Sequence, residues 1–175
     1  LNGTDPETAE FYQAEESVVK TIIAWIRRTS DRIEELLGAE TDPLIQENLR
    51  GMLDANRWIQ HNPPRTLREA CQFMCWYNMA GKCYNLDGCG GQIDEVLLPY
   101  YRADRDAGRI DDEDAVYFLA GVLLNDTKYY QLGGIGRDGG DMISKVSWLL
   151  LDAADRLDIT ANLTVRVHDR MDRAF

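Results

Sequence analysis

The sequence predicts a mainly α protein with a few short strands. Apolar residues recur at helical spacing through most of residues 10–125, and capping residues and helix stops divide that stretch into separate segments. An alternating strand pattern is clear only later, in NLTVRVH at 162–168. No linker or change of composition divides the 175 residues, so we expect a single unit.

The segment 1–60 predicts a helical hairpin. Apolar residues recur at helical spacing from Glu10 to Leu37, and Gly38 supplies a stop. Thr41-Asp42-Pro43 then supplies an N-cap and a proline at the first helical position. We expect the second helix to extend to about Ile59.

The segment 61–127 predicts buried helices and a glycine-rich loop. Thr66 begins a helix that extends to about Lys82, with a capping box at its start, and its apolar residues lie nearly all round it. We therefore expect this helix to be deeply buried. The glycine-rich stretch at 85–94 follows it, and the helices after that stretch are predicted over 95–107 and 113–125.

The segment 128–169 predicts a βαβ-like unit. A short strand over 128–132 is followed by a glycine-rich turn, a helix over 141–157 with Asp141 as its N-cap, and the strand at 162–168. In the turn, Gly134, Gly136 and Gly139 have the spacing G-x-G-x-x-G of a dinucleotide-binding loop. Asp138 and Asp141 would repel a pyrophosphate there, so we expect glycines that turn the chain and allow close packing.

Charge narrows the classes of partner. The chain has 30 acidic and 19 basic residues, and its net charge of −11 disfavours binding to nucleic acid and to anionic membranes. No apolar run approaches the roughly 20 residues that cross a bilayer, and the first ten residues lack the pattern of a secretory signal. We expect a cytoplasmic protein.

The four cysteines predict reduced thiols. Cys71, Cys75, Cys83 and Cys89 lie in one stretch and form no C-x-x-C pair, and neither histidine has a spacing from them that is typical of a zinc site. We expect no metal in this chain.

Four longer stretches carry a more specific pattern. They are NPPRTLREACQFMCWYNMA (62–80), GGQIDEVLLPYYRADRDAGRIDDEDAVYFLAGVLL (90–124), LGGIGRDGGDMISKVSWLLLDAADRL (132–157) and NLTVRVHD (162–169). Together and in this order they resemble the pyruvate formate-lyase domain of the glycyl radical enzymes. The similarity covers nearly the whole chain.

This resemblance implies part of a ten-stranded α/β barrel and a lyase or dehydratase of anaerobic metabolism. In that family a separate activating enzyme, using S-adenosylmethionine and an iron–sulfur cluster, installs a glycyl radical. The radical then generates a thiyl radical on a cysteine, which abstracts hydrogen from the substrate. The resemblance also implies a homodimer. It further implies two partners for this segment, the remainder of the enzyme chain and the activating enzyme.

The sequence departs from the family at the catalytic loops. It contains no Arg-Val-x-Gly-Tyr loop for the radical glycine and no Gly-Cys-x-Glu loop for the thiyl cysteine. Gly88-Cys89-Gly90 precedes the family's Gly-Arg position, here Gly91-Gln92, and does not correspond to the cysteine loop. We therefore expect a partial domain that binds no cofactor, contains no catalytic residue and is inactive alone.

The resemblance also locates candidate substrate-binding residues. The loop before Gly-Arg contributes to the family's pocket, and it matches Leu86, Asp87 and Gly88. A carboxylate at Asp87 suits a hydroxyl or a cationic group and disfavours pyruvate, and the alternative is an aspartate that favours a turn.

Residues before the paired glycines face the barrel mouth in the family, which makes Tyr129, Tyr130 and Gln131 further candidates, with core aromatics as the alternative. Arg166 is expected to pair with an acidic neighbour inside the larger fold. His168 is expected to be either a structural histidine or an inward polar group.

These observations predict part of a glycyl radical lyase or dehydratase that cleaves a C–O, C–C or C–N bond in a small hydroxylated or cationic substrate. The alternative is a non-catalytic helical interaction or regulatory protein that retains this part of the barrel. A nucleotide-binding βαβ unit is a third, weaker hypothesis.

Overall fold

The computed structural model describes residues 5–84, 91–127 and 129–175, and these form six helices and two strands. The chain divides into two compact units, Leu1–Asn62 and Pro63–Phe175. The elements in order are α1 (Pro6–Ala39), α2 (Pro43–Ile59), α3 (Leu67–Lys82), α4 (Ile93–Asp106), α5 (Asp112–Asn125), β1 (Tyr130–Gly133), α6 (Lys145–Leu157) and β2 (Leu163–Arg166).

The first unit contains helices α1 and α2, which pack against each other. The Asp5 carboxylate accepts a hydrogen bond from the Thr8 amide at 3.0 Å and begins α1. The Asp42 carboxylate accepts one from the Leu44 amide at 2.8 Å and begins α2 at Pro43, as predicted. The unit boundary lies next to the predicted end of the hairpin at residue 60, while the organisation of all 175 residues as one unit stays a prediction.

Helix α3 begins and ends where the sequence predicts, and the Thr66 hydroxyl accepts a hydrogen bond from the Glu69 amide at its start. The prediction that α3 is deeply buried all round is wrong for one face. Phe73 is 45% exposed and Tyr77 is 59% exposed. These two residues lie four apart on one face, whereas α4 and α5 pack against the opposite face, which contains Leu67 and Cys71.

The segment after α5 forms a strand, a helix and a second strand. Strands β1 and β2 pair in parallel, α6 connects them, and Tyr130 and Leu132 align with Leu163 and Val165. An isolated parallel bridge pairs Gln92, at the start of α4, with Gln131 on the other edge of β1. The β1 strand therefore lies between two parallel neighbours.

Helix α6 begins at Lys145, four residues later than predicted, so the assignment of Asp141 as its N-cap is wrong. Ser144 occupies the cap position, and its amide donates to the Ser147 hydroxyl at 2.9 Å. Asp141 lies three residues before this cap position, and its carboxylate instead accepts hydrogen bonds from the amides of Ile143 and Asp172.

The second unit has a continuous apolar core. Helices α3 to α6 and the strands contribute to it, and its fully buried members include Leu97, Leu119, Leu132 and Leu150. Over the described parts of the chain, no helix combines the length and the apolar character that crossing a membrane needs.

Two described cysteines belong to this core and should react slowly. Burial raises the pKa of the Cys71 thiol well above its usual value and that of Cys75 to about 11, whereas Cys83 is exposed. Because the thiolate is the nucleophile, iodoacetamide at pH 8 should modify Cys83 at least about tenfold faster than Cys75. Mass spectrometry of timed samples measures both rates, with urea-unfolded protein as the control. Equal rates in the folded protein would contradict this assignment.

Candidate functional site

The sheet in the second unit has one apolar and one polar face. Tyr130 and Leu132 are fully buried in the helical core, whereas Gln131 between them points to the opposite side and is exposed. Parallel partners share a face, and the register pairs Gln131 with Thr164 and Gly133 with Arg166. We use "polar face" for the side chains of Gln92, Gln131, Thr164 and Arg166.

Gln92 and Arg166 meet across β1 on the polar face. The Gln92 side-chain amide donates through Nε2 to the carbonyl oxygen of Gly133 at 2.5 Å. Its Oε1 accepts a hydrogen bond from Arg166 Nη1 at 2.9 Å. Gln92 is bridged to one edge of β1 and Arg166 lies on the strand paired to the other edge, so the contact spans β1.

The glycine-rich turn between β1 and α6 lies beside this contact. Gly133, Gly134 and Gly139 have φ values of 64°, 110° and 79°, which residues with a side chain rarely adopt. A Cβ on Gly134 would lie 3.0 Å from the Arg166 guanidinium carbon. The prediction that these glycines turn the chain and allow close packing is confirmed.

The same turn uses its own amides, which argues against a dinucleotide site. The Gly136 amide donates to the Gly140 carbonyl, and the Gly139 amide donates to the Gly136 carbonyl. The Gly140 amide donates to the Asp138 carboxylate at 2.9 Å. A phosphate-binding loop needs such amides directed at its ligand, and α6 begins only at Lys145.

His168 contacts Asp141 at the end of the glycine-rich turn. Its Nδ1 accepts a hydrogen bond from the Arg170 amide at 3.1 Å, so Nε2 carries the proton that faces Asp141 Oδ1 at 3.2 Å. Both ring nitrogens are used, and the ring is nearly buried. This arrangement is that of a structural histidine.

The pKa of Asp141 lies below its ordinary value, chiefly because the amides of Ile143 and Asp172 donate to the carboxylate. A carboxylate with a lowered folded-state pKa stabilises the fold above its unfolded pKa, and this stabilisation is lost as the pH falls through the folded pKa. Asp141→Asn should therefore lower the melting temperature at pH 7, with a smaller difference near pH 3. Scanning calorimetry at both values tests this, with Asp155→Asn as the exposed control. An equal difference at both pH values would contradict the ionic role.

Asp94 joins three elements behind the polar face. Its side chain is buried, and its Oδ2 accepts hydrogen bonds from the Gly133 amide at 2.8 Å and from the Ser147 hydroxyl at 2.5 Å. Its Oδ1 accepts one from the Glu95 amide. One carboxylate thus ties the end of β1 to the first turns of α4 and α6, and so fixes the backbone that bears Gly133.

The structure separates the residues that the sequence proposed for the site. Leu86, Asp87 and Gly88 lie outside the described residues, as does Cys89. Tyr130 is buried in the core, where its hydroxyl accepts a hydrogen bond from Asn78 at 2.9 Å and burial raises its pKa well above the ordinary value. Its role at a substrate stays a prediction.

Gln131, by contrast, is exposed on the polar face, and Tyr129 is exposed beside it with a φ of 58°. Sequence reasoning missed Gln92 and Thr164. The alternation of Thr164 and Arg166 with Leu163 and Val165 was the available signal, since it places the two polar residues on one side of β2. Arg166 bonds to the side-chain amide of Gln92, and its pairing with an acidic neighbour inside the larger fold stays a prediction.

The described residues include no group of three or more histidine, cysteine or acidic side chains able to hold a metal. The described side chains on the polar face are instead two amides, a hydroxyl and a guanidinium. They can bind and orient a small polar molecule, and none of them is a nucleophile or general base at neutral pH.

A family model, "Pyruvate formate lyase-like", matches residues 2–175. The isethionate sulfite-lyase of Nitratidesulfovibrio vulgaris is 25% identical over 189 aligned residues, which cover 94% of this chain and 23% of the relative. A glycyl radical enzyme from Archaeoglobus fulgidus superimposes with a TM-score of 0.82 at 26% identity, over 89% of this chain and 23% of that one.

A third relative is a structure from Roseburia inulinivorans, described in terms of 1,2-propanediol dehydration. It superimposes with a TM-score of 0.85 at 20% identity, over 99% of this chain and 25% of its own, and at that identity it shows the fold alone. The chain spans about a quarter of the length of these relatives. The predicted fold class, a largely helical part of the glycyl radical enzyme barrel, is confirmed.

Proposed function

Since the chain belongs to the pyruvate formate lyase-like family of glycyl radical enzymes, we propose that it forms a substrate-facing wall of a glycyl radical lyase or dehydratase. The substrate is a small hydroxylated or cationic molecule, and the reaction cleaves a C–O, C–C or C–N bond. The radical, installed by an activating enzyme that uses S-adenosylmethionine and an iron–sulfur cluster, supplies hydrogen abstraction. The residues of this chain bind and orient the substrate.

The two-faced sheet is the observation that carries this proposal. A barrel wall needs an apolar side against its helices and a polar side toward the substrate, and Tyr130 and Gln131 are adjacent residues on those two sides. The family resemblance matches residues 86–88 to a loop that contributes to the pocket, a few residues before Gln92 in the sequence. In this proposal Asp87 and Gln131 both bind the substrate, and Leu86 and Gly88 belong to the same pocket.

Catalysis requires a thiyl cysteine and a radical glycine that residues 1–175 do not supply. The proposal therefore makes the remainder of the enzyme chain a partner, and residues 1–175 alone are expected to give no turnover. Peptide mapping of the native polypeptide, captured from its source cells, tests this. Peptides with Gly-Cys-x-Glu and Arg-Val-x-Gly-Tyr loops support the proposal, and a native polypeptide without them would favour a helical interaction protein.

Kinetics of the activated full-length enzyme would show which of Gln131 and Tyr130 binds the substrate. Gln131→Leu should lower kcat/KM about tenfold, the loss expected for one substrate hydrogen bond, with an unchanged melting temperature. Tyr130→Phe removes a hydroxyl from the core and should lower the melting temperature with little effect on KM. Unchanged kcat/KM in Gln131→Leu would remove Gln131 from the pocket.

A further inference from the structure

Arg166 is an exposed cation whose charge is not neutralised by a described carboxylate. Its guanidinium bonds to the neutral Gln92 amide, and in residues 5–84, 91–127 and 129–175 no acidic oxygen lies within 4.0 Å of it. Arg105, Arg109 and Arg156 of the same unit each pair with an aspartate or glutamate. No carboxylate of the described residues therefore offsets the charge of Arg166.

The guanidinium is also fixed in orientation. A Cβ on Gly134 would lie 3.0 to 3.1 Å from Cζ, Nε and Nη1 alike, so the glycine backbone lies against the flat side of the group. Gln92 Oε1 accepts from Nη1, and the Gln92 amide is itself held by the Gly133 carbonyl. Among the described residues none is hydrogen-bonded to Nη2, and a guanidinium edge that includes Nη2 can bind a carboxylate through two parallel hydrogen bonds.

Gln92 explains how the charge is preserved. The family's Gly-Arg position is Gly91-Gln92 here, and a second arginine at 92 would repel Arg166 and compete for the same anion. A neutral amide instead holds the guanidinium by its acceptor oxygen without cancelling its charge. The pair Gln92–Arg166 is therefore suited to an anionic ligand.

We propose that Arg166 binds the carboxylate of the substrate, and that Gln131 and Thr164 bind its hydroxyl. This inference rests on the proposed function and narrows its substrate class to small hydroxy acids. Thr164 and Arg166 lie two residues apart on one strand, about 7 Å between Cα atoms, which a chain of two to four carbons spans once the side chains reach toward it. The expectation against anionic substrates came from Asp87 alone, and Arg166 supplies the opposite charge.

Glycolate and ethylene glycol form a matched pair of probes, since both have two carbons and a hydroxyl and only glycolate has a carboxylate. Both are titrated into the full chain at constant ionic strength, and NMR follows the Arg166 Nε–H and the Gln131 side-chain amide. Glycolate should shift both signals, whereas ethylene glycol should shift at most the Gln131 signal. Arg166→Gln should weaken glycolate binding about tenfold or more, the loss of one charge-assisted pair.

Arg102→Gln removes the same charge from an exposed position on α4 and should bind glycolate normally. Arg166→Lys keeps the charge but loses the two parallel N–H donors of the guanidinium, and it should bind glycolate less tightly than the unaltered protein. Equal binding of both probes, no shift of Arg166 at 100 mM glycolate, or full affinity in Arg166→Gln would each overturn the inference. These outcomes leave the proposed function standing, because peptide mapping and the Gln131 kinetics test it separately.

Discussion

Replacing Asp94 with alanine is expected to lower the free energy of unfolding of the Pro63–Phe175 unit by about 3 kcal/mol. The change leaves the Gly133 amide and the Ser147 hydroxyl without their buried acceptor. Each orphaned buried donor costs about 1–3 kcal/mol. Alanine also removes the cost of burying a carboxylate, which offsets part of that sum and leaves a net loss of about 3 kcal/mol.

Urea unfolding measures the total change, and hydrogen exchange of the Gly133 amide shows where it acts. In Asp94→Ala this amide should lose its protection, while amides in the first unit keep theirs. Asp155→Ala removes an equal charge from an exposed position on α6 and should change stability by less than about 0.5 kcal/mol. If the two variants were equally stable, the carboxylate would not hold the three elements together.

The free energy of unfolding of Asp94→Asn should fall between those of the unaltered protein and Asp94→Ala. An amide oxygen in place of Oδ2 can still accept from both the Gly133 amide and the Ser147 hydroxyl, but an NH₂ group in place of Oδ1 cannot accept the hydrogen bond from the Glu95 amide. If Asp94→Asn lost as much stability as Asp94→Ala, the negative charge itself would be required at this junction.

Local signals in the sequence determined the helices accurately. Asp42 before Pro43, Thr66 before Leu67 and the acidic start of α5 are caps whose side chains satisfy free helix amides, and each lies where the structure begins a helix. These interactions connect residues within one turn. They can be recognised without knowledge of the fold.

Signals that depend on distant residues were harder to use. Asp141 has the sequence features of an N-cap, yet the Asp172 amide, 31 residues away, donates to its carboxylate. The exposed face of α3 likewise could not be recognised, because the apolar residues Phe73 and Tyr77 look like core positions until the packing of α4 and α5 is known.

The polar face shows the same limit. The family resemblance made Tyr130 and Gln131 candidates alike, and only the folded structure separates the buried Tyr130 from the exposed Gln131. The Gln92–Arg166 contact joins residues 74 apart in sequence across a glycine. No periodicity in the sequence predicts a pair of that kind.

Gly133→Ala is expected to destabilise the second unit by about 3 kcal/mol and to disturb the polar face. At φ 64° an alanine costs about 1–2 kcal/mol relative to glycine. In addition, the new Cβ would come within 3.0 Å of Ile143 Cγ1 and would overlap its Cδ1, so Ile143 must move. The Gly133 carbonyl holds Gln92, so the displacement should reach the Gln92–Arg166 hydrogen bond.

Gly108 supplies a matched control because it has the same φ of 64° and open space where a Cβ would lie. Gly108→Ala should cost only the conformational part, about 1–2 kcal/mol. The difference between the two variants, measured by urea unfolding, isolates the contact with Ile143. Equal losses would mean that Ile143 rotates away at no cost.

A double-mutant cycle separates the contact with Ile143 from the backbone conformation at Gly133. Ile143→Ala vacates the space that the new Cβ needs, so Gly133→Ala should cost less in that background than in the unaltered protein, by about 1–2 kcal/mol. The Arg166 Nε–H signal in NMR should shift in Gly133→Ala and return in the double variant, because the β1 backbone again holds Gln92 in place. Additive losses together with a persistent shift would show instead that the left-handed conformation at Gly133, rather than its clearance from Ile143, positions the polar face.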